Sequence, residues 1–490
     1  MSAREMTSLL HGLSADDIPA LDVTGLAMDS RRVVPGDLFL ACQGTRVHGL
    51  NFVDQAVAAG ARAIAWDGPA APCVDVPCIH VPDLAILVST IAGRFFEQPS
   101  VGLFVAGITG TDGKTSCAWL LARALEGLGC RCGYIGTLGV GALDALTDAG
   151  HTTPDPISVQ RSLANFRADG CEAVAFEVSS HALDQHRVDG VVFDAAVLTQ
   201  VGRDHLDYHA SVEAYAQAKR RLFCLPELAC AVLNVDDEHG RRWLAELDTS
   251  VEPVVYGHGD LAAMADRYVR LVAVEPRADG LRVEVDTHVG AARIDSTLIG
   301  AFNAHNLAAV LAVLLSRGES LARCATVLAG LETVPGRMQR IPAREDQPLV
   351  VVDYAHTPGA LAQALSAVRA HAAERVLCVF GCGGDRDRGK RALMGEAAVA
   401  GAEQVWLTDD NPRSESPQAI VADILAGIED RTHVCVKHDR RAAIRQAIDA
   451  GRVGDVVLIA GKGHETTQQI GDRRLPFDDR VVARQALEAA

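Results

Sequence analysis

The chain has 490 residues, 49% hydrophobic and 22% charged, a globular composition too long for one core, so two to four domains are expected and extended disorder is excluded. Its formal net charge of -17 disfavours nucleic acid as the main partner, because a phosphate backbone needs a basic face. Anionic small molecules stay open, provided that lysines and arginines are gathered locally.

In chain order, the N-terminus lacks the basic-then-apolar pattern of a signal peptide. Residues 1–98 mix short strand-like runs, Asp37 to Ala41 and Ala61 to Trp66, with a helical stretch from Phe52 to Ala59. A linker at Gln98-Pro-Ser-Val follows. From Val101 the pattern becomes strand, turn, helix: a strand from Val101 to Ile108, then a helix from Thr115 closed by Gly127, a favoured stop. Further strands are predicted at Glu172 to Val178, Val191 to Thr199 and Ala229 to Val235. Between about 266 and 300 the apolar period changes to two, as in antiparallel hairpins, and a helix from Asn306 to Ser316 follows. The longest apolar run, Leu307 to Leu315, is about half of a membrane span. The third region, after Val334-Pro-Gly-Arg-Met, holds four apolar strands: Leu349 to Asp353, Arg375 to Phe380, Gln404 to Thr408 and Asp455 to Ala460. Each ends in a polar turn and helices separate them, so a doubly wound, mostly parallel sheet is expected, with ligands beyond the carboxyl ends of its strands. The 13 cysteines contain no C-x-x-C pair, which favours buried, reduced thiols of a cytoplasmic protein over disulfides or a Cys-rich zinc site.

The segment from Gly107 to Ser116 stands between strand and helix, where a phosphate loop belongs. Gly107, Gly110 and Gly113 let backbone N–H groups turn inward, Lys114 adds a full charge, and Thr115 can reach Mg²⁺. The strict Walker pattern fails by one place, since Ile108 stands where it needs glycine. A nucleotide switch for GTP would carry Asn-Lys-x-Asp, which is absent. Glu177 and His205 follow the next strands, and parallel strands would bring both near the loop as Mg²⁺ ligands. Lys219 reads, from composition, as a solvated helical lysine. The required basic groups lie in three strand-end turns: Gly381 to Arg391 with Arg386, Asp409 to Arg413, and Gly461 to Glu465. Two arginines suit carboxylates and a glutamate suits an ammonium, so an amino acid with extra charge is the expected ligand.

These motifs, in this order and spacing, resemble the Mur ligase family along essentially the whole chain. The resemblance rests on Asp29-Ser-Arg31, the loop from Gly107 to Ser116, His151-Thr-Thr-Pro-Asp155, Glu177-Val-Ser-Ser-His181, Gln185-His-Arg187, Asp204-His-Leu-Asp207, Ala218 to Phe223, Phe302 to Asn306, Pro335-Gly-Arg337, Asp353 to Pro358, Gly383 to Arg386, Asp410 to Arg413 and Gly461 to Glu465. It implies an α/β chain of three domains. Residues 1–98 would hold the UDP end of a nucleotide sugar. Residues 99–335 would form a P-loop ATPase-type sheet with a small antiparallel addition, and 336–490 a Rossmann-like domain for the amino acid. ATP would be bound by Gly107, Gly110, Thr111, Asp112, Gly113, Lys114, Thr115 and Ser116, with Asn303, Asn306, Arg337 and Asp353 around adenine, ribose and phosphates. Mg²⁺ ions would be held by Thr115, Glu177 and His205, and a second Mg²⁺ by Lys219 as the family's carbamylated lysine (N6-carboxylysine). Lys114, Lys219, Glu177 and His205 would be catalytic. Ser30, Thr152, Thr153, Ser179, Gln185 and Arg187 would contact the UDP-N-acetylmuramoyl dipeptide.

The resemblance implies amide formation through an acyl phosphate, in the cytoplasmic synthesis of peptidoglycan precursors, by a monomer using only small-molecule substrates. In this family Asp-Asn-Pro-Arg goes with meso-diaminopimelate, so Arg386, Asp410, Asn411, Pro412, Arg413, Gly461 and Glu465 are expected to bind it. Lysine-adding members lack that arginine. The D-alanyl-D-alanine-adding and folylpolyglutamate-type ligases are the nearest alternatives. Relatives often carry Asn where Asp112 stands, and a carboxylate there would repel phosphates unless it turns toward Mg²⁺ or a basic neighbour.

Overall fold

A computed structural model describes residues 3–44, 47–68 and 70–489. The chain divides into two compact units, Met1–Tyr268 with Ala312–Gly318, and Val269–Leu311 with Glu319–Ala490.

The first unit opens with a four-stranded parallel sheet in sequence order, β1 Gly25–Ala27, β2 Asp37–Ala41, β3 Ala63–Trp66 and β4 Cys78–His80. β2 and β3 are buried throughout, which is why they read as continuous apolar runs rather than as alternation. A second sheet follows, built from β5 Phe104–Thr109, β6 Cys132–Gly136, β7 Gly139–Gly141, β8 Ala173–Glu177, β9 Ala195–Leu198, β10 Cys230–Asn234 and β11 Glu252–Gly257. Its order is β11-β10-β9-β5-β8-β6-β7, parallel except for β7. Helix α1, Lys114–Gly127, leaves β5, and helix α2, Val212–Arg220, carries Lys219. β5 starts at Phe104 and not Val101, because residues 98–103 form turns, with Gly102 at φ 93° and Val101 and Leu103 donating to Gln98 and Ser100. β9 likewise starts late, at Ala195, after a turn in which Val191 donates to Val188.

The arrangement that positions the site is the placing of β5 between β8 and β9. Glu177 is in register with Ile108 and Leu198 with Thr109, so three strands end together beside the start of α1.

The second unit contains the antiparallel meander expected from the period-two pattern, β12 Arg267–Arg277 (from Val269 onward), β13 Gly280–Thr287 and β14 Gly290–Ser296, with a bulge between Leu271 and Ala273. Helix α3, Phe302–Ser316 (in this unit up to Leu311), starts a turn earlier than its apolar run suggests and includes Asn303 and Asn306. Then come β15 Gln339–Ile341, β16 Leu349–Asp353, β17 Val376–Phe380, β18 Gln404–Leu407, β19 Val434–Val436 and β20 Val456–Ala460. They form one sheet in the order β15-β16-β20-β17-β18-β19, parallel except for β15. Insertion of β20 between β16 and β17 makes the turn after Ala460 a neighbour of those after Asp353 and Phe380. A hairpin, β21 Thr467–Ile470 and β22 Arg473–Pro476, follows. Both faces of the sheet are covered by apolar clusters. Helices α4, Arg440–Ala450, and α5, Asp479–Ala489, are joined by a fully buried ion pair, Arg440 to Asp479 at 2.7 Å.

His371 bridges two separate segments of this unit. One ring nitrogen, Nδ1, lies 2.7 Å from the Arg277 carbonyl, and the other, Nε2, accepts the Gly300 N–H at 2.9 Å. Only a neutral imidazole can do both.

Candidate active site

In the phosphate loop Gly110 has φ 148° and Gly113 φ 84°, conformations that L side chains rarely adopt. Lys114 folds back onto its own loop, donating to the carbonyls of Gly110 and Thr111, each at 2.8 Å. Burial pulls its pKa down. Among the described residues Asp112 makes no ion pair: its carboxylate accepts from the amide of Gln200 at 3.0 Å, and its backbone carbonyl from Thr199 at 2.6 Å.

Glu177, at the end of β8, is fully buried. It accepts from Thr115 Oγ1 at 2.7 Å, from Thr137 N at 2.8 Å, from Thr137 Oγ1 at 3.1 Å and from the Tyr134 hydroxyl. A buried carboxylate persists because donors surround it. Thr137 Oγ1 lies 3.1 Å from Thr152 Oγ1, so the chain of contacts runs from the phosphate loop to the residues expected at the dipeptide. Thr153 donates to the Glu177 carbonyl at 2.8 Å and accepts the Ser179 N–H at 3.1 Å. Arg187 donates to the Thr153 carbonyl at 2.7 Å and grips Gln185 Oε1 through two nitrogens. Ser30 lies elsewhere, after β1, where its hydroxyl donates to Gln55 at 2.9 Å.

Lys219 is 1% exposed. Its nitrogen donates to the Gly110 carbonyl at 2.7 Å and sits 4.3 Å from the centre of the Tyr215 ring. Burial, helped by the charge of Lys114, pushes its pKa down to about 6, which favours the neutral, nucleophilic amine near pH 7. The Tyr215 hydroxyl in turn meets Thr111 Oγ1 at 3.2 Å. His205, in a left-handed conformation at φ 51°, is half-exposed; it lies 3.4 Å from the Asp204 carboxylate and edge-on to His181 at 4.8 Å between ring centres.

In the second unit, Asn303 donates to the Ile299 carbonyl at 2.9 Å and its side-chain oxygen accepts from Asn306 at 2.8 Å. Asp353, ending β16, accepts the N–H groups of Met338 and Ala355 at 2.7 and 2.8 Å; burial raises its pKa against the pull of those bonds. The Arg337 guanidinium lies 4.9 Å from the Tyr354 ring centre, cation–π distance.

The three strand-end turns of this unit interlock. Gly384 N donates to the Asn411 carbonyl at 2.9 Å, and Arg413 Nη1 to the Gly384 carbonyl at 2.6 Å. A Cβ on Gly383 would stand 2.9 Å from Arg413 Nη1 and 3.7 Å from Arg386 Cγ, so that glycine makes room for both arginines. Arg386 is exposed. Arg413, at φ 54°, is tied to the hairpin by its backbone, donating to Gln469 at 3.1 Å and accepting from Gly471 at 2.7 Å. Gly461 leaves space for the buried Asp410 carboxylate, 2.9 Å from where its Cβ would be. The Glu465 carboxylate does not stand alone: Oε2 accepts from Lys462 Nζ and from Asn411 Nδ2, both at 2.8 Å. Pro412 is buried behind this turn.

Sequence reasoning missed Tyr134, Thr137, Tyr215, Lys462 and Arg391. Arg391 is fully buried and clasps Glu415 through two nitrogens at 2.8 and 2.9 Å and the Gly383 carbonyl at 3.2 Å. Lys462 and Arg391 stood inside motifs already singled out. Tyr134, Thr137 and Tyr215 carry no local signal.

Three family models match in succession: "Mur ligase family, catalytic domain" over residues 22–96, "Mur ligase middle domain" over 108–314, and "Mur ligase, glutamate ligase domain" over 336–463. The UDP-N-acetylmuramoyl-L-alanyl-D-glutamate--2,6-diaminopimelate ligase of Alkalilimnicola ehrlichii is 50% identical over 487 residues, with 96% of each chain covered. The protein of that name from Coxiella burnetii is 45% identical over 490 residues, covering 99% of this chain and all of its own. A solved structure of a UDP-N-acetylmuramoyl-L-alanyl-D-glutamate--2,6-diaminopimelate ligase aligns with TM-score 0.80 and 36% identity, over 100% of this chain and 99% of that one.

Proposed function

The chain belongs to the Mur ligase family, and on that premise we propose that it joins meso-diaminopimelate to UDP-N-acetylmuramoyl-L-alanyl-D-glutamate at the expense of ATP, in the cytoplasm. Among the described residues no helix is long and apolar enough to cross a membrane. We assign the UDP end to residues 1–98, ATP to 99–335 and the amino acid to 336–490. The observation that carries the choice of amino acid is the fixed guanidinium of Arg413, bonded to Gly384 beside Arg386 and on the turn next to Glu465. Diaminopimelate has a second carboxylate and a second ammonium, and these side chains match that charge pattern.

In the reaction, the γ-phosphoryl group of ATP passes to the terminal carboxylate of the dipeptide, giving an acyl phosphate and ADP. The amine of diaminopimelate, having lost a proton, attacks the acyl carbon, and inorganic phosphate leaves. Lys114 would exchange its two loop carbonyls for nucleotide phosphates and stabilise charge on the transferred group. Thr152, Thr153, Ser179, Gln185 and Arg187 would hold the dipeptide, with Thr152 one hydroxyl contact from Thr137 and so from Glu177. Asn303, Asn306, Arg337 and Asp353 would border the nucleotide.

The hydroxyl of Thr115 and Glu177 Oε2, 2.7 Å apart, are hard oxygen donors that fit Mg²⁺. With His205 they would hold it, a carbamate on Lys219 would hold a second Mg²⁺, and when bound these ions would neutralise phosphate charge. The carbamate forms when the neutral Lys219 amine bonds to the carbon of CO₂ and releases one proton, turning a buried cation site into an anion.

An amino-acid panel assayed with UDP-N-acetylmuramoyl-L-alanyl-D-glutamate and ATP tests the assignment. ADP release and product should appear with meso-diaminopimelate and fall about tenfold or more with L-lysine, the loss of one charge-assisted pair. Equal turnover with L-lysine would sink it.

A further inference from the structure

We propose that Lys462 is a positioning residue for the incoming amino acid: by occupying Glu465 Oε2 it leaves Oε1 to receive an ammonium and keeps that carboxylate charged. The inference rests on the diaminopimelate reading above and goes beyond it.

The observations are geometric. Lys462 is 0% exposed and donates to Glu465 Oε2 at 2.8 Å and to Asn411 Oδ1 at 3.2 Å. Asn411 donates to the same Oε2 through Nδ2 at 2.8 Å, and its Oδ1 also takes the Gln469 N–H at 2.9 Å. The orientation of the amide is therefore fixed from two sides, and both donors reach one carboxylate oxygen. Asp410 is the second carboxylate of this corner, buried against Gly461. Lys462 supplies the positive charge that is bonded directly to the Glu465 carboxylate. Without it Glu465 would lose a charge-assisted bond beside a second buried carboxylate, and close buried carboxylates disfavour each other's charged form. A lysine sealed from solvent cannot bind the ligand itself, so it acts through Glu465.

Its environment agrees. Burial raises the Glu465 carboxyl, and the hydrogen bonds from Lys462 and Asn411 more than offset this and hold it below its usual range. The charged and titratable groups facing it are Lys462, His464, Asp410, Tyr354 and Arg440.

The test compares Lys462→Met, Glu465→Gln and the double variant in the full-length enzyme, by steady-state kinetics with diaminopimelate across pH. Lys462→Met is expected to raise KM for diaminopimelate about tenfold, leave KM for ATP unchanged, and move the acid limb of kcat/KM for diaminopimelate to higher pH. The double variant should match Glu465→Gln, because Lys462 acts through that carboxylate. An unchanged KM and pH profile in Lys462→Met, or a double variant about tenfold worse than Glu465→Gln, would overturn the proposal. If Lys462→Met does not fold, the double variant, which removes the Glu465 carboxylate together with its lysine, decides by comparison with Glu465→Gln. If the unmodified enzyme turns over another amino acid instead, the diaminopimelate reading fails, and the same comparison with that amino acid still judges Lys462.

Discussion

Lys114 and Lys219 donate to one and the same acceptor, the carbonyl oxygen of Gly110, at 2.8 and 2.7 Å. Burial, and after it repulsion from the Lys114 cation, pushes the Lys219 pKa down to about 6. A carbamate on Lys219 would convert this repulsion into an attraction. Lys219→Met is therefore expected to lose activity by about a hundredfold or more, with partial rescue of Lys219→Ala by short carboxylic acids. Carbon-13 NMR in labelled bicarbonate should show a carbamate signal in the unmodified enzyme that Lys219→Met lacks. Stability moves the other way. Between about pH 6 and 10.5 the unfolded chain binds a proton at Lys219 that the folded chain does not. The unmodified amine thus weakens folding near pH 7, and Lys219→Met should be at least as stable there, by an amount that shrinks as the pH rises. Full activity in Lys219→Met would refute the role.

Gly110→Ala should damage both the loop and the fold. The position has φ 148°, and a Cβ would stand 1.8 Å from Thr199 Oγ1, with Gln200 backbone atoms at 3.0 and 3.1 Å. Thr199 would have to give up its bonds to Thr109 and Asp112. We expect a loss of about 2 kcal/mol or more in stability and a rise of about tenfold in KM for ATP. Urea unfolding and ATP titration of initial rates measure the two, and an unaffected KM would show that the loop tolerates the side chain.

Arg413→Lys keeps the charge and discards the planar fork. It should lower kcat/KM for meso-diaminopimelate by about tenfold or more, as about 1.5–3 kcal/mol of charge-assisted bonding is lost. The slow rate with L-lysine should stay within about twofold, since lysine has no second carboxylate for Arg413 to hold. Equal losses with both amino acids would mean that Arg413 only shapes the turn.

His371 predicts a pH dependence. Burial lowers its pKa from the ordinary 6.5, so below pH 6.5 the unfolded chain takes up a proton before the folded chain does. Stability from this group is complete above 6.5 and is lost as pH falls through it. Gln can donate to Arg277 and accept from Gly300 without titrating, so the advantage of the unmodified chain over His371→Gln should shrink between pH 7.5 and 5.5. Denaturant unfolding at both values measures it; a constant difference would exclude the imidazole as the cause.

Much of this was legible in the sequence because the signals are local. The phosphate loop announces itself through glycines between an apolar strand and a helix, and the four strands from Leu349 to Ala460 lie within a residue of their apolar runs. Glu177 was located by strand-end logic, and the placing of β8 beside β5 gives the reason. Lys219 was not legible from composition, because its environment is made by α2 folding onto a loop 109 residues away. Tyr134 and Thr137 are partners only once β6 lies next to β8. Glu465 was read as suited to an ammonium of the ligand, and the lysine three residues before it takes up one of its oxygens; that pairing depends on the turn, and residue types do not reveal a turn's shape.

The turn carrying Arg337 rests on the turn carrying Glu465 with no side chain between them. Gly336 has φ 70° and Gly463 φ 52°, and a Cβ on Gly336 would fall 2.1 Å from the backbone of Gly463. Nothing compressible separates the turn proposed for the nucleotide from the turn proposed for the amino acid, so a shift of one must displace the other. Thermodynamic reciprocity then ties the two ligands together: whatever factor ATP applies to the affinity for diaminopimelate, diaminopimelate must apply to ATP. Calorimetric titration of each ligand with and without the other should return one shared coupling factor different from unity, and Gly336→Ala should alter it.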